Sequence, residues 1–533
     1  MDIPFLLERA ASLHGARPAL LEGERTSTYA DFARSVGAWA GWLREFGVQS
    51  GDRVALLDHN SAAYLRAYFA IAAVGAIAVP LNVRQSAREL GATLADCEPV
   101  VLCARAELAP LAFELGAAAL RPSSLRALVW LGDPPAGARD ALAELVHASE
   151  AELEAARAWY GRASIEARQP AQLYYTSGTT GRPKGVVLTH ENVCTHALAA
   201  IAELRLADSD TWGHIAPMFH LADAWACFAL TWVGGRHAFL PRFEAGAALA
   251  FLGAARVSAT NLVPAMLNLM VRHPERARHE LSSLRLVMSG GAPIAPQVVR
   301  EVIAAFGCEY VQTYGMTETS PYLTLSLLSA AARELPPERQ FALRASTGRP
   351  FLAVELEVRG ADGLPVARDG RSVGEICARG PTVTPGYWRQ PQATAEAIRG
   401  GWLHTGDLAV VEPEGYLNIV DRAKDMIISG GEKVYSTEVE AALYEHPAVL
   451  EAAVYAVPDE RHGEAVAAAI VLRAGASATA DELQSFCRAR LSGYKLPRRF
   501  EFLSELPRTG SGKLSKRALR EPHWAARQPP VAR

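Results

Sequence analysis

The sequence predicts an α/β protein: a large N-terminal domain of layered α/β subdomains with a small β unit, followed by a small α+β C-terminal domain. Three observations carry this expectation. Helical and strand-like patterns alternate through most of the chain before residue 340. From about 340 to 420 the helical pattern is replaced by short strand runs and Gly, Pro and Asp turns. The alternation then returns over roughly the last hundred residues. The expected division is residues 1–421 and 422–533.

The elements follow in order. Residues 28–47, TYADFARSVGAWAGWLREFG, place apolar residues at helical spacing and end on Gly47. DRVALLDH (52–59) then reads as a buried strand, and NSAAYLRAYFAIAAVGAIAVPL (60–81) repeats helix then strand. SSLRALVWLG (123–132) and SSLRLVMSGG (282–291) are apolar runs stopped by glycine. The β unit is seen in VELEVRGADGLPVARDGRSVGEICARGPTVTPGYW (354–388). In the last segment STEVEAALYEHPAV (436–449) offers Ser436 and Thr437 as helix caps. Strand, strand and helix then follow in LEAAVYAVPD, AVAAAIVLR and ADELQSFCRARL. The tail EPHWAARQPPVAR (521–533) is expected to lack order.

Bulk properties exclude several classes of protein. A chain of 533 residues exceeds one compact core. With 54 basic and 57 acidic residues the net charge is −3, which gives no support for nucleic-acid binding. The N-terminus MDIPFLLERA has no cationic region before its apolar run, so no secretory leader is expected. The least polar run, residues 68–81, is shorter than the ~18 residues of a spanning helix. Cysteines 97, 103, 194, 227, 308, 377 and 487 include no C-x-x-C spacing. Reduced thiols in a cytoplasmic protein fit them better than a disulfide framework or a zinc site.

Chemistry concentrates in YYTSGTTGRPKGVVLTH (174–190). Glycines let backbone N–H groups turn toward a ligand, hydroxyls add donors, and Lys184 adds a point charge. Together they describe a phosphate cradle. The spacing is not that of the P-loop, which needs G-x-x-x-x-G-K followed by Ser or Thr.

The motif resembles the phosphate loop of the adenylate-forming superfamily, which holds acyl-CoA synthetases, luciferase-like enzymes and peptide-synthetase adenylation domains. Further family-like motifs occur in the family's order. They are APMFHLAD (216–223), SGGAP (289–293), QTYGMTET (312–319), GWLHTGD (401–407), VDRAKDMIISGGEKV (420–434) and PRTGSGK (507–513). The resemblance implies ATP-dependent activation of a carboxylic acid to an acyl-adenylate, then transfer to coenzyme A. The chemistry explains the motifs: bringing a carboxylate to a polyanion needs charge neutralisation and alignment.

By that resemblance Thr176, Ser177, Gly178, Thr179, Thr180 and Lys184 form the phosphate loop, with Thr176 also catalytic. Glu318 is the Mg²⁺ carboxylate and a catalytic residue, and Thr317 touches the phosphates. Tyr314 stacks on adenine with Gly291, Ala292 and Pro293 on the other side. Gln312, Gly315 and Met316 complete the nucleotide site. Asp407 takes the ribose hydroxyls and Arg422 is a second ribose or phosphate contact. Lys513 bridges carboxylate and α-phosphate, and His220 gates the acid pocket. Lys424 is the pivot that makes the C-terminal domain mobile. Gly430 and Gly431 line the pantetheine channel. Many relatives have Asn where this chain has Lys433.

The acid pocket implied by the resemblance runs along residues 219–225, 261–267, 289–293 and 312–320. It is mainly apolar and contains no Lys or Arg. A medium- or long-chain fatty acid is the first expectation, with a benzoate- or cinnamate-type acid as alternative. A carrier-protein acceptor, a nucleotide-binding regulator and a luciferase-like oxidase are the competing readings. The expected partners are the acid, ATP and coenzyme A, with no nucleic acid and no membrane span. A homodimer is compatible.

Overall fold

The computed structural model describes residues 1–161, 163–177, 183–292, 294, 296–508 and 514–525. Two compact units emerge: residues 1–356 with 378–403, and residues 357–377 with 404–533. This division by packing falls inside the strands of the small β unit, upstream of residue 421.

The larger unit is built on two sheets. The first has nine strands, with six consecutive parallel neighbours: Glu309–Gly315, Leu286–Ser289, Ala259–Asn261, Thr211–His214, Arg236–Phe239 and Pro18–Glu22. The second has seven strands and ends on the antiparallel pair Pro170–Ser177 and Pro183–Thr189. One core joins residues of both sheets to the helices Ile3–His14, Tyr29–Glu45, Ala62–Ala73, His190–Leu204 and Leu221–Val233. Separate cores cover the outer face of each sheet. The result is five layers, helix–sheet–helix–sheet–helix, as a parallel sheet buried on both faces requires.

Local signals explain the element limits. Thr28 caps Tyr29–Glu45 in a reciprocal box with Asp31, and Ser61 caps Ala62–Ala73. Both helices fall where the apolar spacing predicted them.

In the smaller unit, Asp407–Val411 of one strand pairs antiparallel with Leu417–Arg422. A five-stranded sheet follows, led by Val449–Asp459 against Gly463–Leu472, with Arg499–Phe502 parallel to the latter. Helices Ser436–Tyr444 and Ala480–Arg488 cover one face.

The run 354–388 holds strands and turns without helix, as expected, and a short helix, Pro391–Ala397, follows it. Two expectations are corrected. Ser436 and Thr437 do not cap their helix; the Asp421 carboxylate accepts both the Ser436 N–H and its hydroxyl. The tail holds helix through Pro522 to Ala525, with Trp524 Nε1 donating to the Ala456 carbonyl. Among the described residues no helix is long and apolar enough to cross a membrane.

Candidate active site

In the larger unit the hairpin register sets Thr176 directly opposite Lys184. Directly opposed residues share one face of a sheet. The Lys184 ammonium lies 5.0 Å from the centre of the Tyr387 ring, and the Tyr387 hydroxyl donates to Glu318 Oε1 at 2.8 Å. Lys184 and Glu318, 134 positions apart by number, are thus linked through one phenol.

Glu318 sits in the 3₁₀ turn Thr317–Thr319 that follows the strand Glu309–Gly315. The turn is tied down twice: Met316 N–H donates to the Pro321 carbonyl, and Thr384 N–H donates to the Glu318 carbonyl. The side chain is 6% exposed. Among the described residues Tyr387 is its hydrogen-bond partner, through Oε1 alone. One carboxylate whose second oxygen has no partner among the described residues fits Mg²⁺, which takes one or two carboxylates plus phosphate and water. Burial and the Glu318 charge raise the Tyr387 phenol above its ordinary range, so it stays a donor.

The segments SGGAP and QTYGMTET are shaped by close backbone approach. A Cβ on Gly315 would lie 1.9 Å from the Pro321 carbonyl oxygen, and one on Gly290 would lie 2.1 Å from Thr313 Oγ1. Gln312 is buried and accepts the Tyr310 hydroxyl. Tyr314 is half-buried, while Gly291 and Ala292 are exposed. Gly178, Thr179, Thr180, Pro293, Lys513 and the side chain of Ser177 lie outside the described residues.

His220 is the residue before helix Leu221–Val233, half-buried, its ring 4.7 Å from that of Phe219. The segment leading to it is clamped by Asn60. Its amide donates to the carbonyls of His214, Ala216 and Leu240 and accepts from Met218 N–H. On the helix that His220 precedes, Trp225 joins Tyr322, His196 and Phe351 in a buried aromatic box. Trp225 meets Tyr322 at 5.3 Å and His196 at 5.6 Å, and Phe351 meets His196 at 5.1 Å.

In the smaller unit Asp407 and Arg422 are cross-strand partners joined by an ion pair of 3.1 Å. The turn before Asp407 is set by Glu375, which accepts from Gly406 N–H and from His404 Nδ1. Lys424 is exposed, in the turn after Arg422. Gly430 and Gly431, both at positive φ, form the two-residue loop between Ile427–Ser429 and Glu432–Val434. That turn demands glycine or a similar residue with no ligand involved.

Tyr387, Asn60 and the ring partners of Trp225, namely His196, Tyr322 and Phe351, are what sequence reasoning missed. The signal for Tyr387 was present in TPGYW, an aromatic after a glycine, but its partner lies in another motif.

A family model described as AMP-binding enzyme matches residues 7–388, and one described as AMP-binding enzyme C-terminal domain matches residues 438–513. The chain belongs to the AMP-binding enzyme family. A feruloyl-CoA synthase of Amycolatopsis sp is 38% identical over 96% of this chain and 97% of its own length. A long-chain-fatty-acid–CoA ligase of Thermus thermophilus is 36% identical over 97% of this chain and 94% of its own. The crystal structure of an anthranilate CoA ligase with anthranoyl-AMP superposes with a TM-score of 0.85 at 25% identity, covering 99% and 98% of the two chains. This AMP-binding enzyme is an AMP-forming acid–thiol ligase that uses ATP, Mg²⁺ and coenzyme A.

Proposed function

We propose that this AMP-binding enzyme joins a compact aromatic carboxylic acid to coenzyme A through an acyl-adenylate. The acid's carboxylate attacks the α-phosphate of ATP and pyrophosphate leaves. The thiol of coenzyme A then attacks the acyl carbon and AMP leaves. The single observation behind the choice of acid is the aromatic box. Trp225 and Tyr322 meet edge to face and are both buried, so an acid pocket walled by residues 219–225 would end against rings. A long alkyl chain would have to part them.

In this reading Lys184, Thr176 and the loop after it take the outer phosphates, and Lys513 neutralises the reacting carboxylate and α-phosphate. Glu318 would hold Mg²⁺, which supplies charge neutralisation on the phosphates when bound. Tyr314 flanks adenine, Asp407 and Arg422 take the ribose, and His220 separates acid from nucleotide. Lys424, just past the expected boundary at 421/422, is the swing point for the second step. All seven cysteines are unpaired and buried, which supports a reducing, cytoplasmic setting.

The test is pyrophosphate release with ATP and Mg²⁺ across benzoate, cinnamate and straight-chain acids, with and without coenzyme A. Sustained, coenzyme-dependent turnover that peaks on an aromatic acid is expected. A peak on medium- or long-chain fatty acids would return the substrate to the other expectation from sequence. A single burst unaffected by coenzyme A would overturn the acceptor.

A further inference from the structure

The segment 384–390 is stapled to both halves of the phosphate machinery. Trp388 N–H donates to the Gly185 carbonyl at 2.7 Å, and Val187 N–H donates to the Gly386 carbonyl at 3.1 Å. Tyr387 forms a bridge with Val186, and Thr384 Oγ1 donates to the Val187 carbonyl at 2.6 Å. On the other side Thr384 N–H holds the Glu318 carbonyl at 2.8 Å. The approach is close enough that a Cβ on Gly185 would lie 3.2 Å from Trp388 Cβ and 2.9 Å from the Tyr175 ring. Tyr387 itself is fixed by its N–H bond to Thr394 Oγ1.

We propose that Tyr387 is a positioning residue for adenylation, its hydroxyl orienting the Glu318 carboxylate toward Mg²⁺ and its ring seating the Lys184 ammonium. The proposal rests on the reading of Glu318 as the metal carboxylate and Lys184 as the phosphate cation.

The physical argument has two parts. A glutamate that receives a hydrated, geometrically demanding cation works best when its rotamer is already set, and outer partners of carboxylate ligands do this. The phenol engages Oε1, which leaves Oε2 without a hydrogen-bond partner among the described residues. Lys184 is a flexible point charge, and the negative face of the Tyr387 ring holds it without neutralising it. A carboxylate in direct contact would neutralise it. The phenol therefore stands between two opposite charges and keeps them from collapsing into an ion pair before ATP arrives.

Two substitutions separate the two duties. Y387F keeps the ring and loses the donor; Y387Q keeps a donor and loses the ring. ATP binding to the full-length protein is measured by calorimetry while free Mg²⁺ is varied, beginning from metal-free solution. Y387F is expected to raise the Mg²⁺ midpoint by about tenfold with metal-free ATP binding unchanged. Y387Q is expected to keep the midpoint and weaken metal-free binding severalfold. E318Q is run alongside. If E318Q shifts the midpoint and a folded Y387F does not, the role of Tyr387 is overturned and the Glu318 reading stands. A wild-type midpoint in E318Q would overturn the Glu318 reading itself. Should Y387F fail to fold, Y387Q carries the test of the ring, and unchanged metal-free binding in Y387Q would overturn that half.

Discussion

His214 Nδ1 and Asp223 Oδ2 lie 2.6 Å apart, both side chains fully buried between the nine-stranded sheet and the helix Leu221–Val233. They belong to a chain of hydrogen bonds whose direction can be worked out. Thr231 Oγ1 donates its one proton to the Cys227 carbonyl, so it accepts from His237 Nε2. Burial, followed by the neighbouring His214, pushes His237 far below the usual imidazole range, so His237 is neutral and its Nδ1 accepts from His214 Nε2. His214 has therefore already used one N–H, and a further proton must lie between its Nδ1 and Asp223. Asp223 Oδ1 also accepts from Trp212 Nε1 at 3.1 Å.

Substitutions at Asp223 test this proton count. Asp223→Asn supplies an amide N–H to His214 Nδ1 and an oxygen to Trp212, leaving one amide hydrogen to place. The expected cost is about 1 kcal/mol. Asp223→Leu strands both partners inside the core and should cost about 3–5 kcal/mol. Urea unfolding compares the two, and equal losses would refute the proton assignment.

Trp225 closes the aromatic box, and its Nε1 is held by the Ala222 carbonyl at 3.0 Å, which Asn261 also contacts. Trp225→Ala removes the ring that meets Tyr322, His196 and Trp212. The variant should lose roughly 3–5 kcal/mol of stability. It should also shift acid preference toward longer chains, read as the ratio of kcat/KM for octanoate over benzoate. An unchanged ratio would mean that Trp225 does not line the acid site.

Gly315→Ala asks for a methyl where the Pro321 carbonyl already stands, 1.9 Å from the ideal Cβ. Backbone has to move, and the motif that carries Glu318 moves with it. Pyrophosphate release is expected to fall at least about a hundredfold, an effect comparable to misplacing a reacting group by ~1 Å. Activity within tenfold of the parent would show that this turn tolerates displacement.

Lys513→Ala should depress adenylation far more than thioester formation from supplied acyl-AMP. Lys424→Pro should do the reverse if Lys424 is the proposed pivot, because proline fixes φ there. Equal losses in both half-reactions would remove the division of labour between the two lysines.

What was legible in the sequence follows from what each feature requires. Thr28 with Asp31 and Ser61 with its helix are local, so adjacent residues announce them. Lys184 and Glu318 could be singled out because phosphate chemistry needs those residue types in glycine-rich turns, and their phosphate and metal roles stand as proposals. Tyr387 was not, since its meaning depends on a carboxylate 69 positions away. The His214–Asp223–His237 network was equally hidden. Each member lies in an otherwise apolar strand or helix, and only the fold brings 214, 223, 231 and 237 into one row. Gly430 and Gly431 show the opposite difficulty: the hairpin alone already requires glycine there, so these residues do not by themselves point to a ligand.

His196 gives the fold a specific weakness to acid. It is buried among Trp225, Tyr322 and Phe351, and burial lowers its imidazole to about 3. The neutral ring accepts from Tyr322 N–H through Nε2. In the unfolded chain the same group titrates near 6.5, so below that pH the unfolded state binds more protons than the folded one. The resulting loss of stability begins as pH falls through 6.5 and continues to the folded value near 3. By pH 5 the single residue should account for about 2 kcal/mol. His196→Gln keeps an acceptor for Tyr322 N–H and cannot titrate. Its unfolding free energy, followed in urea at pH 7.5 and pH 5, should fall by about 2 kcal/mol less than that of the parent. Parallel losses in the two proteins would show that His196 is already protonated, or solvated, in the folded state.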